Sequence, residues 1–353
     1  MIEVETQNSL DGMPPIINLF TNWSASRIER MLQCGLKEYN THHHDPPLKL
    51  PTYANLTQGK FLHSLIENFW NEKGEPKYKE IESFEGRIKG NWKMMIKRGT
   101  LGGQFIEWKS KEEPWIYLHD TLKIASTVYE SCLKRGPPVF AEYYFYFALN
   151  GVKLRGSIDE LRKNAMIVDH KTYMLSYDPE KPWNKADLDE KIQFTVYALA
   201  TAASAYLDED FASKLEIEVD RKLPWKENLE KINSQLNLKM HLLRKGEFVD
   251  IKRRSIAQIN ELFPLIKNLD EQTTKNIFTA NRGYQCLHCP AYKPCYNDRE
   301  NGLLPLPKRN GQVALFRDED IKPFPGPIDL RKSLYKKKRQ NKIGRQLRLP
   351  FGS

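Results

Sequence analysis

The chain is 353 residues long, 40% hydrophobic and 11% aromatic, which is enough apolar material for a real core in one large domain or two. No run approaches the roughly 18 consecutive apolar residues of a membrane span. Met1-Ile2-Glu3-Val4-Glu5 lacks the charged-then-apolar layout of a signal peptide, so an intracellular protein is expected. The net charge of +10 is nearly all tail: nine lysines and arginines and no acid lie between Arg331 and Ser353, leaving a near-neutral body. Such a tail suits phosphate binding, or simply solubility.

In chain order, Trp23 to Asn40 reads as a helix capped by Ser24 or Ser26, with Ile28, Met31, Leu32 and Leu36 on one stripe. His42-His43-His44-Asp45-Pro46-Pro47 reads as a loop. Consecutive side chains diverge there, so the three histidines make a poor metal cage. Gly59 to Lys73 is an amphipathic helix in which Phe61, Leu62, Leu65, Ile66, Phe69 and Trp70 fill half of the wheel. His63 and Glu67 lie one turn apart at the border of that half, from which a side chain can reach a cleft. Residues 74–114 are polar and read as an insertion or a loosely packed helical segment. Helical periodicity returns from Tyr117 to Lys134.

Three strand-like runs follow, Val139–Leu149, Val152–Leu161 and Met166–Tyr173, separated by Asn150-Gly151 and by Arg162 to Ala165. Asn-Gly is a preferred two-residue hairpin turn. Leu188 to Tyr206 is an Ala-rich helix, and Leu215, Ile217 and Val219 alternate with acids like a fourth strand. Two charged helices are expected at about Trp225–Lys245 and Arg254–Thr273. The order implies an α/β core with a small mixed sheet.

The chemistry concentrates on the second and third strands. Asp169 and Lys171, two apart, project from one face, while Val168 and His170 point the other way. Asp159 joins them if the two runs pair as a hairpin. Acids and a lysine spaced this way also occur on ordinary hairpins as solvated charges. Here Val152, Leu154 and Ile158, with Met166, Ile167 and Val168, make both runs mostly buried, and a buried strand rarely carries such groups unless they are paired or bind a metal. Two carboxylates and an ammonium suit metal-assisted phosphodiester hydrolysis, with Mg²⁺ or Mn²⁺ on the carboxylates and the lysine orienting water or neutralising charge on phosphate.

Cys286-Leu287-His288-Cys289 and Cys295 spell C-x₂-C-x₅-C, one thiolate short of an iron–sulfur cube or a structural zinc. Cys34 and Cys132 are the candidates for the fourth; Cys132, in a helical run, reads most simply as a core thiol. Zinc with His288 is the rival, although His288 lies between two thiols of the same loop.

Together these pieces resemble the RecB-type branch of the PD-(D/E)XK nuclease superfamily, which includes CRISPR-associated RecB-like exonucleases and the iron–sulfur nuclease domain of AddB. The matching elements, in order, are Ser24 to Cys34 and Tyr39, Gly59-x₃-His63-x₃-Glu67, Gly156-x₂-Asp159, Asp169-His170-Lys171-Thr172, Gln193-x₃-Tyr197 and the cysteine run. They span residues 22 to 298; Gly35 departs from the proline common after the first cysteine. The resemblance implies a restriction-endonuclease-like α/β core with helical insertions. It implies His63, Asp159 and Asp169 as metal ligands, with the backbone carbonyl of His170, and Lys171 as the catalytic lysine. It also implies Gln193 and Tyr197 as DNA-facing or site-ordering groups, and Cys34, Cys286, Cys289 and Cys295 around a [4Fe–4S] cluster. Gln193 and Tyr197, being i and i+4, stack on one helix face.

The expectation is therefore an arm (1–21), a nuclease domain (22–300) and a basic tail (301–353). The activity expected is a Mg²⁺- or Mn²⁺-dependent deoxyribonuclease, acting on single-stranded ends in repair, recombination or replication, in the cytoplasm of a bacterial or phage-infected cell. The alternative is a non-cleaving iron–sulfur module that holds DNA for a partner. No phosphate loop of the Walker type is present, so any motor would be a separate helicase or recombination partner. Gln346-Leu347-Arg348-Leu349-Pro350-Phe351 resembles the peptide by which bacterial DNA-processing proteins hook onto the sliding clamp, and Gln312-Val313-Ala314-Leu315-Phe316 is a looser match.

Overall fold

The structure, a computed structural model, describes residues 22–43, 48, 50–172, 189–275, 277–279, 281, 289–291 and 295. The arm, the basic tail with both glutamine-led peptides, His44, Cys286 and His288 lie outside the described residues. The chain divides into two compact units, Met1–Leu32 with Lys49–Asn276 and Gln33–Leu48 with Ile277–Ser353.

The first unit opens with β1 (Asn22–Trp23) and α1 (Ala25–Gln33), and the Ser24 hydroxyl accepts from the Arg27 amide at 3.3 Å as a cap. The single helix expected to Asn40 breaks at Cys34, whose extended backbone (φ −168°, ψ 106°) separates α1 from α2 (Gly35–His42), an element of the second unit. After β2 (Thr52–Tyr53) comes α3 (Ala54–Glu67). The segment read as an insertion or a loosely packed helical segment forms a well-packed helix, α4 (Ile81–Arg98), and the short strands β3 (Thr100–Leu101) and β4 (Gln104–Glu107). Phe84, Ile88, Trp92 and Met95 of α4 are buried at helical spacing. They pack with Phe61 and Leu65 of α3, with Phe69 just beyond it, and with Ile124 and Val128 of α5 (Glu113–Arg135).

The central sheet contains β5 (Phe140–Leu149), β6 (Val152–Arg162), β7 (Met166–Lys171), β8 (Asn237–Leu242) and β9 (Glu247–Ile251), with β1 alongside. β5 and β7 flank β6 antiparallel, β1 and β8 pair parallel with β6 and β7, and β9 closes antiparallel on β8. The sheet is mixed, as expected. Asn150 and Gly151, with φ of 52° and 75°, form the expected hairpin turn.

α6 (Ile192–Leu207), buried nearly all round, lies on the β5 side, where the Tyr143 hydroxyl meets Ser204 at 2.9 Å. The strand expected at Leu215–Val219 is absent. Glu216 takes φ 60°, and the Ile217 amide bonds to Ala212 O, so the segment closes α7 (Glu209–Lys214) instead of extending. The helix expected to Lys245 stops as α8 (Trp225–Gln235). Leu238, Met240 and Leu242 then alternate as β8, whose parallel pairing to β7 wins over helical continuation. α9 (Ile256–Thr274) ends the unit with a Ser255/Gln258 capping box.

Among the described residues, no helix is long and apolar enough to cross a membrane.

Candidate active site

The site lies where β7 parts from β6, beside the break in the β5–β6 ladder at Glu142 and Asp159. The β6–β7 ladder runs from Arg162↔Met166 to Glu160↔Val168. The next rung would join Asp159 to Asp169, but the Asp159 carboxylate instead accepts from the His170 backbone amide at 2.6 Å. A side chain has replaced a strand partner, which parts the strands and opens a gap.

Lys171 reaches back over that gap, its Nζ 3.0 and 2.7 Å from the two carboxylate oxygens of Asp169. This is the i, i+2 contact expected from strand alternation. His63, from α3, brings Nδ1 to 3.4 Å from Asp159 Oδ1. Gln193 and Tyr197 on α6 bond to one another, amide donating to hydroxyl, at 2.7 Å. The negative charges of Asp169 and Asp159 act on the buried Tyr197 hydroxyl. His63, Asp159, Asp169, Lys171, Gln193 and Tyr197, singled out from the sequence, thus all lie on the first unit.

Their charges are interlocked. Burial opposes the Asp159 carboxylate, yet His63, His170 and Lys171 together hold it down at about 2. Burial likewise opposes the His63 cation, and Asp159 outweighs it, lifting the imidazole above its ordinary value. Asp169 is buried and faces Asp159, which pushes its carboxyl up against the pull of Lys171. Lys171 is raised, because Asp169 and Asp159 more than offset its own burial.

By alternation His170 lies on the other side of β7 from Asp169 and Lys171, yet its ring still meets that of His63 edge-on at 5.8 Å between centroids. Its ring contacts Glu160 at 3.2 Å and His241 at 3.1 Å, and His241 meets Ser131 of α5 at 3.1 Å. Glu160 is also gripped by Arg135 and Arg162 at 2.6 and 2.8 Å. Burial and the neighbouring His170 push His241 down to about 2, so it is neutral. This network ties β6, β7, β8 and α5 together behind the site.

One acid escaped the sequence reading. Glu142 of β5 stands opposite Asp159 in the β5–β6 register, between the rungs Ala141↔Glu160 and Tyr143↔Ile158. Its φ of 48° lies in the left-handed region, disfavoured for a residue with a Cβ. The strand switches face there: Phe140 and Tyr143, three apart, both pack on Phe211, at 5.2 and 4.8 Å between ring centroids. Burial and the Asp159 charge push the Glu142 carboxyl up to about 7, against a hydrogen bond from Ser157. Glu29 of α1 and Lys191 also escaped notice. Burial raises Glu29 although Lys191 and Lys171 lie near it. An acid in a run as apolar as Val139-Phe140-Ala141-Glu142-Tyr143 is the signal that could have found Glu142.

His63, Glu142 and Asp159 each offer a ligand atom, all within 4.8 Å of one another. One imidazole nitrogen and two carboxylate oxygens suit a Mg²⁺- or Mn²⁺-class cation, so the residues present fit a divalent metal. Gly156 leaves room for its cross-strand neighbour, since a Cβ there would lie 2.7 Å from the Phe145 ring.

In the second unit, the Cys34 sulfur accepts from the Asn281 amide at 3.4 Å and lies 4.0 Å from Thr279 O. A Cβ on Gly35 would sit 2.8 Å from the Thr279 nitrogen, which accounts for glycine where proline was expected. Cys289 and Cys295 are half-buried in this unit, whereas Cys132 is buried within α5 of the first. His42 and His43 face Glu38, at 3.9 and 3.8 Å.

Residues 22–296 match the family model of the PD-(D/E)XK nuclease superfamily. No curated protein matches the sequence. Among solved structures, a crystal structure from Eubacterium rectale that carries the provisional name of exonuclease is similar at 10% identity and a TM-score of 0.41. The match covers 78% of this chain and 90% of that one.

Proposed function

The chain belongs to the PD-(D/E)XK nuclease superfamily, and from that premise we propose that it is a Mg²⁺- or Mn²⁺-dependent deoxyribonuclease that trims single-stranded DNA ends. The observation that carries the reading is the meeting of His63, Asp159, Asp169 and Lys171 in one gap between β6 and β7.

His63, Asp159 and Asp169, with the carbonyl of His170, would hold the metal, and Glu142 stands ready as a further acid. Bound there, a divalent cation supplies Lewis acidity toward a phosphodiester. Lys171 stays protonated at neutral pH because its two carboxylate neighbours favour the cation. It can shift from Asp169 to a phosphate oxygen as negative charge builds in the transition state. The Gln193–Tyr197 pair keeps a phenol against the carboxylates and limits water at that wall.

Cys34, Cys286, Cys289 and Cys295 bind a [4Fe–4S] cluster that staples residues 33–48 to the segment after 277. The arm is residues 1–21, the nuclease domain 22–300 and the tail 301–353. The tail binds DNA phosphates and docks Gln346–Phe351 on a sliding clamp, alongside a helicase or recombination partner. The setting is DNA repair, recombination or replication in the cytoplasm of a bacterial or phage-infected cell.

A digest of end-labelled single-stranded and duplex oligonucleotides with Mn²⁺, Mg²⁺ or EDTA tests the activity. Products shortening from an end only with metal are expected, and persistence of intact strands with both metals would overturn it. Clamp binding is tested by titrating full-length protein, with and without residues 346–353, against the clamp. Equal binding by both forms, or none by either, removes the docking role.

A further inference from the structure

We infer that the outer strip of the β5–β6 hairpin is a track along which a single DNA strand lies as it enters the site, an inference that rests on the nuclease reading above. Beyond Glu142 and Asp159 the ladder pairs Tyr144 with Ser157, Tyr146 with Arg155 and Ala148 with Lys153. Directly opposed residues share a face, as do alternate residues along each strand. These six side chains therefore form one continuous strip. Its reverse is carried by Phe145, Phe147 and Leu154, all buried.

The strip is open. Tyr144 is 74% exposed, an unusual setting for a large aromatic side chain, and Lys153 is exposed as well. Among the described residues, no side-chain hydrogen bond or ion pair engages Tyr144, Tyr146, Lys153 or Arg155. The inner end of the strip is the site itself: Glu142 lies beside His63 and Asp159, and Tyr144 is near enough to Glu142 and Glu67 to feel both charges.

The charges are sorted along the strip. The acids gather at the inner end, where a cation belongs. The outer rungs carry Arg155 and Lys153 and no acid, which suits the phosphates of a strand whose terminal linkage sits at the metal. At about 3.4 Å per residue, Tyr144 to Ala148 spans roughly 14 Å, the reach of a few extended nucleotides. The exposed Tyr144 ring offers stacking to any base, whatever its identity, provided that the base is not already stacked in a duplex. The strip therefore selects single strands and is indifferent to sequence.

The test is fluorescence anisotropy of the full chain with a labelled oligothymidine of about twelve nucleotides and a duplex of equal length, in EDTA so that no turnover occurs. Tyr144→Ala should weaken single-strand binding about tenfold, as expected for the loss of one stacked base. Tyr144→Phe should restore it, because the ring remains. Arg155→Ala should reduce the slope of log affinity against log salt by about 0.7, one single-strand phosphate contact. Wild-type affinity in both alanine variants, equal losses in Tyr144→Ala and Tyr144→Phe, or no single-strand binding by the wild type would overturn the track. If the wild type cleaves with Mn²⁺ while the alanine variants bind normally, the track fails and the nuclease reading stands. If Tyr144-dependent binding is present but no metal yields cleavage, the nuclease reading fails and the strip remains a binding surface.

Discussion

The Lys171 ammonium lies 2.7 Å from one carboxylate oxygen of Asp169 and 3.0 Å from the other, two residues away on the same strand. Asp169 is almost completely buried, so Lys171 is what makes its charge tolerable there. A cation that neutralises a ligand at rest is also placed to neutralise a phosphate during reaction. Lys171→Ala should therefore lower metal-dependent cleavage by at least about a hundredfold, with DNA affinity in EDTA within a few fold of wild type. Lys171→Ala digesting DNA at the wild-type rate would show that the site has been misplaced.

Glu142 should display a trade between stability and activity. Its left-handed backbone costs about 1 kcal/mol or more for a residue of this type, a cost asparagine largely escapes. Its carboxyl, pushed up to about 7, also shows how poorly burial beside Asp159 suits a second charge. Glu142→Asn should raise the Tm by a few degrees while reducing metal-dependent cleavage more than tenfold. Thermal melts and initial rates on one preparation decide the matter, and a lower Tm with full activity would remove Glu142 from the site.

The network behind the site gives a prediction of stability alone. Glu160 is buried and held by Arg135, Arg162 and His170. Glu160→Ala would strand two guanidinium groups in a low-dielectric interior, at a cost of about 3–5 kcal/mol. Glu160→Gln keeps the hydrogen bonds and should lose less. Urea unfolding measures both, and equal, small losses would mean that water reaches the arginines.

Cys132 offers a check by pH. Burial lifts its thiol from 9.0 to about 11, since the apolar wall of α5 disfavours the thiolate. Between these values the unfolded chain has released the proton and the folded chain has not. Stability should thus fall as pH rises from 9 toward 11, by about 2–3 kcal/mol from this group. Cys132→Ala should flatten that decline. Native protein should likewise leave Cys132 unalkylated by iodoacetamide at pH 8, and rapid labelling without unfolding would contradict its burial.

Much of this arrangement is legible in the chain because it depends on local rules. Asn150-Gly151 dictates a tight hairpin, and two-residue alternation places Asp169 with Lys171 and turns His170 away. What was hidden depends on distant partners. Phe84, Ile88, Trp92 and Met95 are spaced as a helix, but lysines and glutamates dilute the pattern until α3 and α5 pack on it. Leu238, Met240 and Leu242 are compatible with either period, and only a parallel neighbour, β7, decides for strand. Glu142 reaches the site through a left-handed φ and a register opposite Asp159, neither of which is written in the residues around it.

The cysteines yield the sharpest remaining test. Cys34 belongs to the same compact unit as Cys289 and Cys295, and its sulfur is held by the amide of Asn281. Cys132 lies in the other unit, where burial suppresses its thiolate. If four thiolates surround a cube, protein purified without oxygen should be brown and carry about four irons and four sulfides per chain. Cys34→Ser should lose the colour and, with the staple gone, expose residues 33–48 to proteolysis. Cys132→Ser should keep colour and iron. Zinc in place of iron, or colour retained in Cys34→Ser, would replace the cube with another metal or another fourth ligand.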